Sequence, residues 1–157
     1  MRDGGGKWTL RKIRMIADYQ FSDGAGILLF PSGVSVSSSP RTGKIKEIRD
    51  GDVYIATLNP KSGVFSLSID GARRLVGTKG NPIMVVRSDF VSEIAGGGNV
   101  FAKHVAEAEP GIRAGNEAVA VSEDSSVLAT GRSLLCGDEA KRFKRGVAIK
   151  VRRGVNS

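Results

Sequence analysis

Glu117-Ala118-Val119-Ala120-Val121 and Val127-Leu128-Ala129-Thr130-Gly131-Arg132-Ser133 are rich in small and β-branched residues, and Ser122-Glu123-Asp124-Ser125-Ser126 joins them. The runs suit strands and the linker residues suit a turn, so the stretch reads as a β-hairpin. Downstream, Asp138–Phe143 reads as a short helix and Gly146 as a break. Val147, Ile149 and Val151 then alternate with Ala148, Lys150 and Arg152 in a final strand. Upstream, a strand at Ile83–Val86 precedes a short helix at Asp89–Ala95, which Asp89 could cap. Gly96-Gly97-Gly98 then feeds a strand at Asn99–Val105. The loop Gly77-Thr78-Lys79-Gly80-Asn81-Pro82 marks a boundary, giving domains 1–79 and 80–157.

The first domain opens with Leu10, Ile13, Ile16 and Ala17 at helical spacing among Arg11, Lys12 and Arg14. This predicts a basic amphipathic helix from Trp8 to Gln20 behind a loose tail, Met1–Lys7. Asp23-Gly24-Ala25-Gly26 ends it, and Ile27–Phe30 is a short apolar segment stopped by Pro31-Ser32-Gly33. Four short strands follow between Val34 and Ile69, with Asp50-Gly51 as the two central residues of a hairpin turn. Gly71–Leu75 completes the domain as one helical turn. Two bodies of this size each bury only ~60% of their unfolded surface, so they are expected to pack together. The fold class is α+β, with two small strand-rich domains.

The 157 residues include 40% hydrophobic and 25% charged positions, as ordinary globular chains do. The 24 Lys and Arg against 16 Asp and Glu leave +8, which favours a polyanionic partner, nucleic acid before an anionic membrane. Residues 1–79 carry 13 basic and 7 acidic side chains, residues 80–157 carry 11 and 9. Apolar runs no longer than about Ile27–Phe30 are far short of the ~20 residues that a spanning helix needs. No signal-peptide pattern is evident, so a cytoplasmic protein is expected. One cysteine and one histidine exclude a disulfide framework and a Cys/His zinc cage. No metal ion and no cofactor are expected.

Catalytic motifs fail on spacing. Around Gly43-Lys44, a phosphate loop would need glycine at Ser38 and a hydroxyl residue at Ile45. Gly96-Gly97-Gly98 lacks the spacing of a dinucleotide loop. Asp50 and Asp52 flank a turn and serve local hydrogen bonding, His104 reads as packed or exposed without a nucleophile nearby, and Cys136 reads as a small buried residue. The positive feature is Lys141, Arg142, Lys144, Arg145, Lys150, Arg152 and Arg153, a run without an acid. It is either a solvated face with a guarded edge strand or a track of phosphate contacts. Glu107, Glu109, Glu117, Glu123 and Asp124 precede it, so the domain reads as polarised. Trp8, Phe101 and Phe143 are candidate stacking platforms.

Gly111-Ile112-Arg113-Ala114-Gly115-Asn116-Glu117-Ala118-Val119-Ala120-Val121, Leu128-Ala129-Thr130-Gly131-Arg132 and Lys144-Arg145-Gly146-Val147-Ala148-Ile149-Lys150-Val151 resemble a PUA domain, the RNA-binding module named for pseudouridine synthases and archaeosine transglycosylases. Asn116 stands where that family usually has an acid. Ala17-Asp18-Tyr19-Gln20-Phe21, Gly24-Ala25-Gly26, Leu29-Phe30-Pro31, Arg41-Thr42-Gly43-Lys44-Ile45, Ala56-Thr57-Leu58, Gly71-Ala72 and Gly98-Asn99-Val100-Phe101-Ala102-Lys103 extend the likeness over residues 8–154. Together they resemble the C-terminal non-catalytic half of archaeal tRNA-guanine transglycosylase.

The resemblance implies a PUA-type pseudo-barrel with short helices in residues 80–157, preceded by the domain that adjoins PUA in the transglycosylase. It implies tRNA binding in archaeosine formation, without the family's catalytic barrel and therefore without enzymatic activity. The partners would be RNA, notably tRNA, and a separate catalytic transglycosylase chain, with no membrane. A general RNA-binding or ribosome-assembly factor using the same surface is the alternative. By likeness to PUA domains, RNA would meet Gly97, Gly98, Asn99, Val100, Phe101 and Lys103, with Lys150, Arg152 and Arg153 from the last strand. Lys144 and Arg145 join them as basic neighbours in the run.

Overall fold

The computed structural model describes the backbone from Arg2 to Ser157 and the side chains from Thr9 onward, so Met1 and the proposed Trp8 platform lie outside what is described. The chain divides into two compact units, Met1–Leu75 and Val76–Ser157.

In the first unit, helix α1 (Arg2–Gln20) buries Ile13 and Ala17 completely and leaves Arg11 and Lys12 exposed. It begins at Arg2 and not at Trp8, so the expected tail is helical through Gly4-Gly5-Gly6. Propagating a helix from a packed stripe is far cheaper than starting one, which offsets the poor helix propensity of glycine. The Ile27–Phe30 segment falls mostly in a second helix, α2 (Ala25–Leu29). The two helices are tied by Asp18, whose Oδ1 accepts the Gly26 N–H at 2.7 Å, and by Arg14, whose Nε donates to the Phe30 carbonyl at 2.8 Å.

Strands β1 (Ser35–Ser38), β2 (Ile45–Asp50), β3 (Val53–Leu58) and β4 (Phe65–Leu67) form an antiparallel meander in that order. The β2–β3 turn is one residue later than expected. Asp50 pairs with Val53, so Gly51 and Asp52 are the central residues, and only Gly51 takes positive φ, at 60°. Asp50 is thereby left in the strand, where it pairs with Arg74 at 2.9 Å. The free edge of β4 is closed by Gln20, whose amide accepts the Phe65 N–H at 2.7 Å and donates to the Phe65 carbonyl at 2.8 Å. Ile69 belongs to helix α3 (Ile69–Leu75), not to the last strand, because Ser68 Oγ accepts the Gly71 N–H at 2.9 Å and opens the helix there. Phe30 and Phe65 meet at 5.1 Å in the core with Ile48, Ile55 and Leu75.

The second unit is a six-stranded sheet. Its strands are β5 (Ile83–Val86), β6 (Val100–Phe101), β7 (Val105–Ala108), β8 (Glu117–Val121), β9 (Val127–Ser133) and β10 (Val147–Gly154), in the order β6-β10-β9-β8-β5-β7. Only β5 and β8 run parallel. The outer strands β6 and β7 are separated in sequence by a single 3-10 turn, Ala102–His104, so the sheet curls until its edges meet. The result is a nearly closed barrel filled by Met84, Val86, Val100, Val105, Ala118, Ala120, Leu128 and Ile149. The single strand expected over Asn99–Val105 is thus two strands broken by that turn.

Two short helices flank the barrel. The segment expected as one helix over Asp89–Ala95 is a 3-10 turn, Ser88–Phe90, followed by α4 (Val91–Ala95), and Asp89 caps neither. Helix α5 (Gly137–Arg142) starts at Cys136, which is half-buried and not in the core. Its Sγ accepts the Glu139 N–H at 3.5 Å while Glu139 Oε1 accepts the Cys136 N–H at 3.0 Å. These bonds hold the Glu139 carboxyl below its usual pKa.

Candidate nucleic-acid interface

The expected site residues fall on three segments of the second unit. The first is the loop Gly96–Asn99. Gly97 takes φ +104°, which a side chain would strain, and Gly98 is pressed against Glu93, whose carbonyl would lie 3.0 Å from an added Cβ. Their N–H groups donate to Ile94 and Glu93 carbonyls, at 3.0 and 3.1 Å. These glycines therefore serve tight packing within the loop, and their amides are not turned to a phosphate. Asn99 ties the loop to β10, its Oδ1 accepting the Val151 N–H at 2.9 Å. Its amide NH2 has no partner among the described residues.

The second segment is the β6–β7 corner. Val100 is fully buried, so only its backbone could meet a ligand, whereas Phe101 is 37% exposed and Lys103 is exposed. The Ala102 N–H donates to the Gly146 carbonyl at 2.9 Å, and Phe101 pairs with Val147. Those contacts bring Phe101 and Lys103 to the α5–β10 connection, where Lys144 and Arg145 are exposed.

His104 lies beneath this corner. It is 2% exposed and stacks on Phe90 with ring centres 4.0 Å apart, and Phe101 meets it edge-on at 5.4 Å. Its Nδ1 accepts the Phe101 N–H at 3.1 Å, so that nitrogen carries no proton. Burial lowers its pKa below the ordinary 6.5, assisted by Lys103 and opposed by Glu93. Of the two readings left open for it, packed is correct and exposed is not.

The third segment is β10. Lys150 is exposed and lies opposite Arg132 of β9, and Arg153 lies opposite Thr130. A bulge between Val151 and Arg153 breaks the alternation, which is why Arg152 and Arg153 are both exposed. Arg152 is engaged by Glu117 of β8 through both terminal nitrogens, Nη1 at 3.0 Å from Oε1, and the Glu117 side chain is only 6% exposed. Lys141 pairs with Glu107 at 3.0 Å and Arg142 with Asp138 at 2.9 Å. The acids and the basic run therefore interleave through these pairs, and the expected polarisation is blunted.

Lys103, Lys144, Arg145, Lys150, Arg153 and Arg132 form no ion pair among the described residues. Arg132 escaped the sequence reading because only the β9–β10 register sets it opposite Lys150. Two cations directly opposed across antiparallel strands cost stability unless an anion lies between them. Phe143, next to Lys144, is also exposed, at 42%, so six unpaired cations and two half-exposed rings can bind a polyanion that also offers flat aromatic bases.

Residues 11–82 match the patch-forming domain C2 of tRNA-guanine transglycosylase, and residues 82–155 match the PUA domain. A tRNA-guanine(15) transglycosylase of Methanothermobacter thermautotrophicus is 40% identical over 147 residues, 92% of this chain and 22% of that protein. The chain spans about a quarter of the length of the curated relatives it matches. Two solved structures share the fold. A hypothetical protein of Pyrococcus horikoshii has a TM-score of 0.70 at 21% identity, covering 94% of this chain and 90% of that one. A conserved PUA domain protein of Thermoplasma acidophilum has a TM-score of 0.63 at 16% identity, covering 97% and 91%. By these matches the first part of the chain is similar to the C2 patch-forming domain and the second to the PUA domain, and together they match the C-terminal part of archaeal tRNA-guanine transglycosylases.

Proposed function

We propose that this chain is a non-catalytic RNA-binding protein, a tRNA-binding PUA subunit that acts with a separate transglycosylase catalytic chain in archaeosine formation. The observation that carries the reading is the set of unpaired cations around exposed Phe101 on a PUA-type barrel. Charge draws in the phosphates, and the ring, Asn99 and backbone groups then select what the phosphates have brought near. Within the reading, residues 80–157 grip RNA and residues 1–79 join the catalytic chain or a further stretch of tRNA. The protein works in the cytoplasm and contributes binding, while bond-making belongs to its partner.

Fluorescence anisotropy with labelled archaeal tRNA tests the binding, with an unrelated structured RNA as competitor. Preferential retention of tRNA is expected, and equal displacement by the competitor would assign the chain to general RNA binding instead. Exchange of labelled guanine into tRNA should need both this chain and a catalytic chain. Exchange by this chain alone would overturn the non-catalytic role.

A further inference from the structure

The β6–β7 corner contains a device that simple packing does not require. Phe101 ends a two-residue strand and has an exposed ring, a poor anchor for an orientation-dependent contact. Three contacts fix it. The backbone N–H is held by His104 Nδ1 at 3.1 Å, the next N–H by the Gly146 carbonyl at 2.9 Å, and the ring meets the imidazole edge-on at 84°. The imidazole is itself clamped by Phe90, at 4.0 Å and 29°. A hydrogen-bonded ring buried under an exposed one prearranges a platform, and prearrangement lowers the entropy lost when a base stacks on it.

We infer that His104 is a positioning residue, holding Phe101 in the orientation in which its ring stacks on a terminal nucleobase or base pair of bound RNA. The inference rests on the RNA-binding reading above. The role needs an unprotonated Nδ1, because a proton there would face the Phe101 N–H. Burial keeps it so, with Glu93 of α4 and Lys103 of the 3-10 turn as its charged neighbours and uncharged Phe90 and Phe101 packed on it.

The test uses the full chain and an RNA hairpin with 2-aminopurine in its terminal base pair, so that stacking on Phe101 changes the fluorescence. Phe101→Leu should weaken binding about tenfold and abolish the change, in keeping with what base–aromatic stacking contributes. His104→Phe keeps a ring on Phe90 but loses the acceptor, and it should reproduce most of that loss with native-like melting. His104→Gln retains an acceptor three residues beyond the Phe101 amide and should restore most of the affinity. Should His104→Phe not fold, His104→Leu makes the same comparison.

Wild-type affinity and fluorescence for the variant lacking the acceptor, beside a weakened Phe101→Leu, would overturn the positioning role and leave RNA binding intact. An unaffected Phe101→Leu would overturn the platform itself. If Lys144→Glu with Lys150→Glu also left affinity unchanged, the RNA-binding reading would fall with it.

Discussion

His104 shows what a single residue can reveal once its neighbours are known. Its Nδ1 accepts a backbone N–H and its ring is buried, so the folded protein favours the neutral form and its pKa lies below 6.5. The unfolded chain binds the proton more readily, so unfolding takes up a proton in that range and stability rises with pH. This contribution is fully present above the unfolded pKa of about 6.5 and is lost as pH falls toward the lower folded value. Denaturant melts of the wild type should show stability constant near pH 7 to 8 and falling below about 6.5. His104→Gln, with no group titrating there, should lose that part of the slope while keeping the acidic fall common to all carboxylates. A wild type and a variant with parallel profiles would show that His104 is not held neutral.

Among the elements, strands and helices with a clear period were legible in the sequence, and junctions were not. The hairpin of Glu117–Val121 and Val127–Ser133, the strand at Ile83–Val86 and the helical stripe of Ile13 and Ala17 are all found as read. The break within Asn99–Val105 was missed because Val100, Phe101 and Val105 are all β-prone. The turn between them is fixed by barrel closure, which is tertiary, and by the local bond from the Phe101 N–H to His104 Nδ1, which no periodicity reveals. The site was half legible for the same reason. Composition marked Lys144, Arg145 and Lys150, but the Glu117–Arg152 pair and the opposition of Arg132 to Lys150 exist only through strand register. That opposition has a measurable consequence. Lys150→Gln should raise thermal stability by ~0.2–1 kcal/mol, relieving like charges across the ladder, while weakening RNA binding. Arg132→Gln should not gain as much, because Arg132 also lies opposite Glu117 of β8. Reversing Arg152 would instead set an acid against the nearly buried Glu117 and destabilise the barrel, so it cannot report on RNA contact alone. Equal stability of Lys150→Gln and wild type would mean that the two cations splay apart in solution.

For the molecule as a whole, the question is how much of the +8 charge is spent on phosphates. The second unit offers nine cations without an ion pair among the described residues, Lys103, Arg132, Lys144, Arg145, Lys150 and Arg153 at the candidate interface and Lys79, Arg87 and Arg113 elsewhere. Each phosphate neutralised releases condensed counterions, and the slope of log affinity against log salt is about −0.7 to −0.9 per contact. If the second unit alone grips RNA and uses all nine, the slope is bounded at roughly −6 to −8. The first unit holds the larger surplus, 12 basic against 7 acidic residues over 1–75 compared with 12 against 9 over 76–157, and Arg11 and Lys12 on α1 are exposed. Anisotropy of labelled tRNA across a salt series should therefore separate the two roles left to that unit. A slope within the bound, reduced by about one contact in Lys150→Gln and unchanged in Arg11→Gln with Lys12→Gln, assigns those helix cations to a protein partner. A steeper slope that both sets of substitutions reduce assigns the RNA track to both units. A flat response would mean that the polyanion is not held by charge, which the unpaired cations of β10 and its neighbours do not permit if RNA is the ligand.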